Sequence, residues 1–179
     1  MLFMQKTKKG FTLVELLIVI GIIGVLAVTL MLALNPAEAQ KRARDAKRLK
    51  DMQNLQAVLE LYMNSDEDIP ANLNVTTTNV AAGTQSEPCD SNWTTLNLCN
   101  YTRTVPVDPV NATSRTIMTA NGTPVNNITI IYRLRISSGN YEINTRLEAE
   151  DSASTIGGDG GNSLVWYEIF SGPNDLLTN

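Results

Sequence analysis

Residues 10–34 read GFTLVELLIVIGIIGVLAVTLMLAL, and the rest of the chain is organised around this run. From Phe11 to Leu34 the only ionisable side chain is Glu15. At about 1.5 Å of rise per residue, a helix over 11–34 extends roughly 36 Å, which is long enough to cross a bilayer core. The run therefore predicts a membrane-spanning helix. A carboxylate at the bilayer centre costs about 2.5 to 3.5 kcal/mol, so Glu15 needs a partner.

A short basic leader precedes the apolar run and contains Lys6, Lys8, Lys9 and Gly10. The junction KKG followed by FTLVELLIVI resembles the processing site of the type IV pilin and pseudopilin family. In that family a prepilin peptidase at the cytoplasmic membrane face cleaves after the glycine and methylates the new amine. The resemblance therefore implies cleavage between Gly10 and Phe11, and N-methylation of Phe11.

The same resemblance implies a role for Glu15. Cleavage exposes an amine at Phe11, and residues four apart on a helix lie close together. The resemblance implies that Glu15 pairs with this amine, in its own chain or in a neighbouring one, as subunits join a filament. Two other interpretations are an ordinary signal anchor, with Glu15 reaching water at the interface, and a cleavable secretory signal. The apolar region of such a signal spans about 7 to 15 residues, which is shorter than this run.

Composition restricts the class of protein. The 179 residues leave room for a membrane helix and one modest folded domain. The net charge of −4 gives no support for nucleic-acid binding, and no direct nucleic-acid site is evident. The chain has no histidine, which is the commonest general base and metal ligand. We therefore expect a protein that is not an enzyme and that has no cofactor.

The fold class predicted for the chain is α+β, in five segments. These are a cleaved leader (1–10), a transmembrane and assembly helix (11–34), an amphipathic continuation of that helix (35–66), an irregular segment with a disulfide (67–115), and an antiparallel sheet with a C-terminal tail (116–179). The resemblance implies the pilin fold, in which a long N-terminal helix packs on a small antiparallel sheet of three to four strands.

The helix has a predicted soft spot at Gly21, Gly24 and Pro36, because glycine lowers helix propensity and proline interrupts the backbone ladder. In the resembling family the segment between an internal glycine and a proline can unwind when the subunit leaves the bilayer. The alternative is that these small residues permit close helix packing in lipid.

Apolar residues recur at helical spacing from Ala37 to about Ser65 and predict a helix packed on the sheet. They are Leu49, Met52, Leu55, Val58, Leu59, Tyr62 and Met63. The first part of this helix also carries Lys41, Arg42, Arg44, Lys47, Arg48 and Lys50, which we interpret as a solvated face.

By the positive-inside rule, six basic residues after the span against three before it favour a cytoplasmic C-terminal side. The leader and the cysteine pair favour an exterior domain, and we adopt that topology.

Cys89 and Cys99 are the only cysteines. In an exported chain we expect them to form a disulfide, with a pair of free thiols as the alternative. Trp93, in the same loop, is expected to plug a local core, with an exposed contact residue as the alternative.

Residues 101–111, YTRTVPVDPVN, resemble a connecting segment of major pseudopilins and related pilins, in which Pro106, Asp108 and Pro109 would fix a turn without chemistry of its own. Alternation then predicts a three-stranded meander at 128–136, 141–148 and 164–170, with 116–120 as a candidate additional strand.

Two further motifs are weaker. The loop from Glu150 and Asp151 to Asn162 offers oxygen ligands for calcium, which major pseudopilins carry in a nearby loop. Its acids lack the spacing of a strong calcium loop, so we favour a flexible linker. Asn-x-Thr triplets, which are glycan acceptors in some hosts, begin at Asn74, Asn92, Asn100, Asn111, Asn121 and Asn127.

The resemblance implies a non-catalytic structural subunit of a type IV pilus-like filament, serving motility, adhesion or DNA uptake. Its implied partners are identical subunits, the prepilin peptidase, an assembly platform with a motor ATPase, and the membrane before assembly. The implied location is the cytoplasmic membrane as a single-pass precursor with its N-terminus inside, then an extracellular filament. The alternatives are a major pseudopilin of a type II secretion system and a membrane-tethered surface binding protein that does not polymerise.

Overall fold

The computed structural model describes residues 10–65, 69–81 and 84–172, with only the backbone described at 32–34. The chain forms two compact units, Met1–Ala39 and Gln40–Asn179. The predicted leader before Gly10 and the predicted tail at 173–179 lie outside the described residues.

The first unit consists of helix α1 (Leu13–Leu34) and the start of helix α2 (Pro36–Met63). Every large apolar side chain described from Phe11 to Met31 is at least 46% exposed. A helix that is apolar on all sides requires lipid or other helices around it. The stretch Leu13–Met31 is long and apolar enough to cross a membrane.

The interruption between α1 and α2 lies at Asn35, which has left-handed backbone angles of φ 37° and ψ 75°. Asparagine tolerates this conformation, and Pro36 supplies the fixed φ that suits a first helical position. The Asn35 carbonyl accepts a hydrogen bond from the Glu38 amide at 3.0 Å. The helix continues through Gly21 and Gly24, so the interruption lies beside Pro36, and the predicted unwinding stays a prediction.

The second unit contains a four-stranded antiparallel sheet with strand order β1-β6-β7-β8, and two separate ribbons, β2-β3 and β4-β5. The strands are β1 (Asn72–Thr76), β2 (Ser86–Pro88), β3 (Thr104–Pro106), β4 (Ser114–Met118), β5 (Pro124–Thr129), β6 (Arg133–Ser137), β7 (Asn140–Thr145) and β8 (Tyr167–Phe170). Short 3-10 turns span Thr77–Asn79 and Glu150–Ser152, and helix α3 spans Ala153–Gly157. The α+β prediction is confirmed.

The core forms where the apolar stripe of α2 packs against the sheet. It contains Met52, Leu55, Leu59 and Tyr62 of α2 together with Leu134, Ile136, Tyr141 and Ile143 of β6 and β7. Both predicted patterns, the helical stripe and the period-2 alternation, are therefore confirmed. Trp93 is 7% exposed and donates its indole N–H to the Pro106 carbonyl at 2.9 Å, so the prediction of a core plug is also confirmed.

The sheet differs from the predicted meander in three ways. The single strand predicted at 128–136 is two strands, because the chain up to Thr129 pairs with β4, whereas from Arg133 onward it pairs with β1 and β7. Residues 116–120 do not extend the main sheet, since β4 pairs with β5. The fourth strand is β1, which lies in the segment predicted to be irregular and pairs with β6. Its sequence, NLNVT, carries only two apolar residues, so composition did not reveal it.

The interpretation of the basic residues as a solvated face is wrong for Arg48, which is 0% exposed. Its guanidinium forms ion pairs with Asp108 at 2.6 Å, Asp45 at 2.6 Å and Glu148 at 2.7 Å. Arg44 also pairs with Glu148, at 2.7 Å. Two of the three partners of Arg48 lie 60 or more residues away in sequence, which is why a local pattern could not reveal the burial.

The carboxylates of this cluster bind backbone as well. Asp45 accepts hydrogen bonds from the Glu148 and Ala149 amides and from the Ser152 hydroxyl. Asp108 accepts a hydrogen bond from the Val110 amide at 2.8 Å. The turn that was predicted to have no chemistry of its own therefore contributes a buried acid to the cluster around Arg48. Burial acts to raise the pKa of Glu148, but its hydrogen bond from Arg44 and the charge of Arg48 lower that pKa overall.

We expect Arg48→Met to destabilise the second unit by about 3 to 5 kcal/mol, because it leaves buried carboxylates without their cation. The measurement is the free energy of unfolding by urea, followed by Trp fluorescence in detergent. The matched control is Arg42→Met, which breaks a surface pair with Asp151 whose side chains are 59% and 61% exposed. We expect the control to cost under about 1 kcal/mol. Equal losses in the two variants would contradict the structural role of Arg48.

Candidate processing and assembly site

The peptide bond predicted to be cleaved, between Gly10 and Phe11, lies outside the helix. Gly10, Phe11 and Thr12 are non-helical and exposed, and α1 begins at Leu13. Thr12 is extended, with φ −82° and ψ 152°. The predicted scissile bond therefore lies in accessible backbone directly before the apolar helix.

Thr12 and Glu15 form a capping box at the start of α1. The Thr12 hydroxyl accepts a hydrogen bond from the Glu15 amide at 3.2 Å. In return, Glu15 Oε2 accepts one hydrogen bond from the Thr12 amide at 2.8 Å and another from the Thr12 hydroxyl at 2.7 Å. Such reciprocal bonds satisfy donors that a helix start otherwise leaves free. Glu15 thus has a partner in its own chain while Gly10 and Phe11 are still joined. The T-x-x-E spacing was a readable signal for this contact, and our sequence reasoning missed it.

The second carboxylate oxygen of Glu15 is open. Among the described residues, Oε1 accepts no hydrogen bond, since both bonds that Thr12 donates to this carboxylate go to Oε2. A cation can therefore bind Oε1 without displacing Thr12. The pairing of Glu15 with the amine of Phe11 stays a prediction, because this amine exists only after cleavage.

The predicted disulfide is present. Cys89 and Cys99 are joined, with their Cα atoms 4.8 Å apart. Their sulfurs also lie close to the Asp90 carboxylate, but both are committed to the disulfide.

The loop considered for calcium is ordered, so the interpretation as a flexible linker is wrong. It contains α3, whose Ile156 is buried. Asp159 accepts the Gly161 and Glu168 amides, both at 2.8 Å, and Asp151 pairs with Arg42. The carboxylates of Asp159 and Asp151 are therefore bound to other groups of the chain. The cofactor prediction itself stays a prediction.

This loop covers Glu168 on β8, which is 2% exposed. Glu168 accepts the Ser163 amide at 3.0 Å and forms no ion pair with the residues that the structure describes. Burial raises the pKa of Glu168, and the neighbouring charges of Glu142 and Asp159 act in the same direction. Burial likewise raises the pKa of Asp159.

An exposed apolar helix, preceded by an accessible junction and started by a capping box around a lone acid, fits a membrane-anchored precursor. A family model described as "Prokaryotic N-terminal methylation motif" matches residues 5–31. Two relatives from Neisseria gonorrhoeae, both described as "Type IV major pilin protein PilE1", are each 38% identical over 87 residues, which is 49% of this chain. The resemblance to the type IV pilin family is confirmed by both comparisons.

These alignments cover 48% and 44% of the two relatives, so the chain spans about half the length of the curated relatives it matches. No solved structure matches the chain significantly.

We expect Thr12→Val to loosen the start of α1, because it removes the hydroxyl that caps the Glu15 amide. Loss of an N-cap costs about 1 kcal/mol, so the Glu15 amide should exchange hydrogen about fivefold faster in detergent micelles. Thr12→Ser keeps a hydroxyl and is the matched control, with exchange close to that of the unaltered chain. Unchanged exchange in Thr12→Val would show that the capping box does not hold this turn.

We expect Glu168→Gln to raise the thermal unfolding midpoint near neutral pH more than in acid. A carboxyl with a raised folded pKa stabilises the fold fully below its unfolded pKa, and this stability is lost as the pH rises through the folded pKa. The side-chain amide introduced by the substitution keeps an oxygen for the Ser163 amide and carries no charge. The comparison is between about pH 4 and about pH 7, on either side of the usual glutamate pKa. An equal shift at both pH values would contradict the ionisation of a buried Glu168.

Proposed function

We propose that this chain is a structural subunit of a type IV pilus-like filament, processed after Gly10 and polymerised through α1. The observation that carries this proposal is the Thr12–Glu15 capping box, with one open carboxylate oxygen, at the start of an exposed apolar helix. The match of residues 5–31 to the N-terminal methylation motif supports it. The proposed role is structural and non-catalytic.

Charge pairing would select the register of assembly. In lipid, helices gain little from the hydrophobic effect when they associate, so packing and polar contacts decide the arrangement. The amine created at Phe11 would bind Oε1 of Glu15, in the same chain or in a neighbour, while Thr12 retains Oε2. The bond matters because an unpaired charge is costly in hydrocarbon.

Close packing of α1 against identical helices is also supported by its glycines. A Cβ added at Gly21 or Gly24 would meet no atom within 4 Å, so these positions are open to a neighbouring backbone. Small residues of this kind permit close approach of helices in membranes.

The proposed path starts with a single-pass precursor in the cytoplasmic membrane, N-terminus inside. A prepilin peptidase would cleave it, and an assembly platform with a motor ATPase would move it into an extracellular filament. The second candidate is a major pseudopilin of a type II secretion system. Segment 101–111, which resembles a connecting segment of major pseudopilins and of related pilins, fits both candidates.

The test is Glu15→Ala, expressed in cells that assemble the filament. We expect processing and membrane insertion to continue, while sheared surface material examined by electron microscopy with antibody to this chain shows no filaments. Asp151→Ala removes an acid that is 61% exposed in the second unit and is the matched control, with normal assembly expected. Normal assembly of Glu15→Ala would overturn the proposal and favour a tethered binding protein.

Mass spectrometry of the protein from its own cells provides a second measurement. We expect the mature chain to begin at a methylated Phe11. A chain that still begins at Met1 would contradict processing.

A further inference from the structure

A groove of about 480 Å³ lies between β1 with its following 3-10 turn and the loop closed by the Cys89–Cys99 disulfide. Four of its lining residues have exposed polar side chains: Asn74, Asn79, Ser91 and Thr95. None of these four side chains forms a hydrogen bond with any residue that the structure describes. The groove therefore presents amide and hydroxyl groups that are free to bind a ligand.

The wall of this groove is held rigidly by Asn92, which is 9% exposed. Its Nδ2 donates to the Cys89 carbonyl at 2.8 Å and to the Leu96 carbonyl at 2.9 Å, while its Oδ1 accepts the Thr94 amide at 2.9 Å. A wall that is ordered before binding lowers the entropy lost when a ligand is bound.

Thr95 lies on this wall with a left-handed φ of 59°. Such a backbone is rare for a β-branched residue and persists only where neighbouring contacts enforce it. The Thr95 amide donates to the Asn92 carbonyl at 3.0 Å, so the same residue that orders the loop also holds Thr95. The result is a fixed backbone position for Thr95 at the rim of the groove.

The remaining lining indicates the chemistry of a ligand. Val75, Val80 and Trp93 supply an apolar surface, and no basic side chain lines the groove. Glu87 is its single charged residue, and it accepts the Trp93 amide. An anion would meet this carboxylate without a compensating cation, whereas a neutral molecule with hydroxyl groups and C–H faces would match both kinds of lining.

We propose that this groove binds a neutral saccharide unit. The amides of Asn74 and Asn79 and the hydroxyls of Ser91 and Thr95 bind its hydroxyl groups, and Val75 and Val80 pack against its C–H face. The site is confined to the second unit, so it does not depend on the proposed filament.

The experiment is saturation-transfer NMR on the full chain in detergent micelles. The probes are the methyl glycosides of galactose, glucose and mannose, together with N-acetylglucosamine and N-acetylgalactosamine. Glucuronic acid is the anionic probe, and a short Ser/Thr peptide is the peptide probe. A shallow site with few polar contacts should bind one or more neutral sugars with a dissociation constant on the order of 1 mM. We expect no transfer to glucuronic acid or to the peptide.

The variants are Asn79→Ala and Asn74→Ala in the groove, with Asn121→Ala in the exposed turn between β4 and β5 as the matched control. Loss of a hydrogen bond is worth about 1 kcal/mol, so each groove variant should weaken binding about fivefold. The control should bind as the unaltered chain does. Thermal unfolding midpoints within about 2 °C of the unaltered chain would show that the variants remain folded.

Three results would overturn the proposal. They are no transfer to any neutral sugar, transfer that the groove variants leave unchanged, and equal or stronger binding of glucuronic acid or of the peptide.

Discussion

The ion pairs of the buried Arg48 guanidinium with three carboxylates are the interaction on which the second unit, Gln40–Asn179, depends most. A charge without solvent is costly unless ionic and hydrogen-bonding partners surround it, and Arg48 meets three carboxylates within 2.7 Å. These carboxylates come from α2, from the turn after β3 and from the segment after β7. Because Asp45 also binds the backbone of that last segment, one cation connects the helix to two distant parts of the chain. The apolar core supplies the contact area, and this cluster specifies which segments meet.

The first unit contains a related feature, which is the acid Glu15 near the start of an apolar helix. Thr12 satisfies one oxygen of Glu15 within the chain, and the other oxygen is left open. In the folded unit every oxygen of Asp45 is used internally. Asp45 completes a fold, whereas the half-satisfied Glu15 suits the contact that we propose it makes after processing.

Several features could be read from the sequence because their signals are local. The stripe on α2 and the alternation in β6 and β7 follow the periods of a helix and a strand, so they placed Leu55, Leu134 and Ile143 in the core. The disulfide was predicted because the chain has only two cysteines and was expected to be exported. In contrast, β1 joins the sheet through backbone hydrogen bonds to β6, and its Asn- and Thr-rich composition resembles a loop. Arg48 looked solvated because its neighbours in sequence are charged.

The sequence by itself determined the apolar span, its lone acid and the junction that resembles a processing site, since all of these are written in neighbouring residues. The T-x-x-E cap is equally local, because it joins residues within about one helical turn, but its signal was missed. Only the tertiary structure decided that Arg48 is buried, that β1 is the fourth strand, and that polar side chains of β1 and of the disulfide loop share one groove. The physical reason is distance along the chain: these contacts join residues tens of positions apart, and the choice among their candidate partners depends on how the core packs.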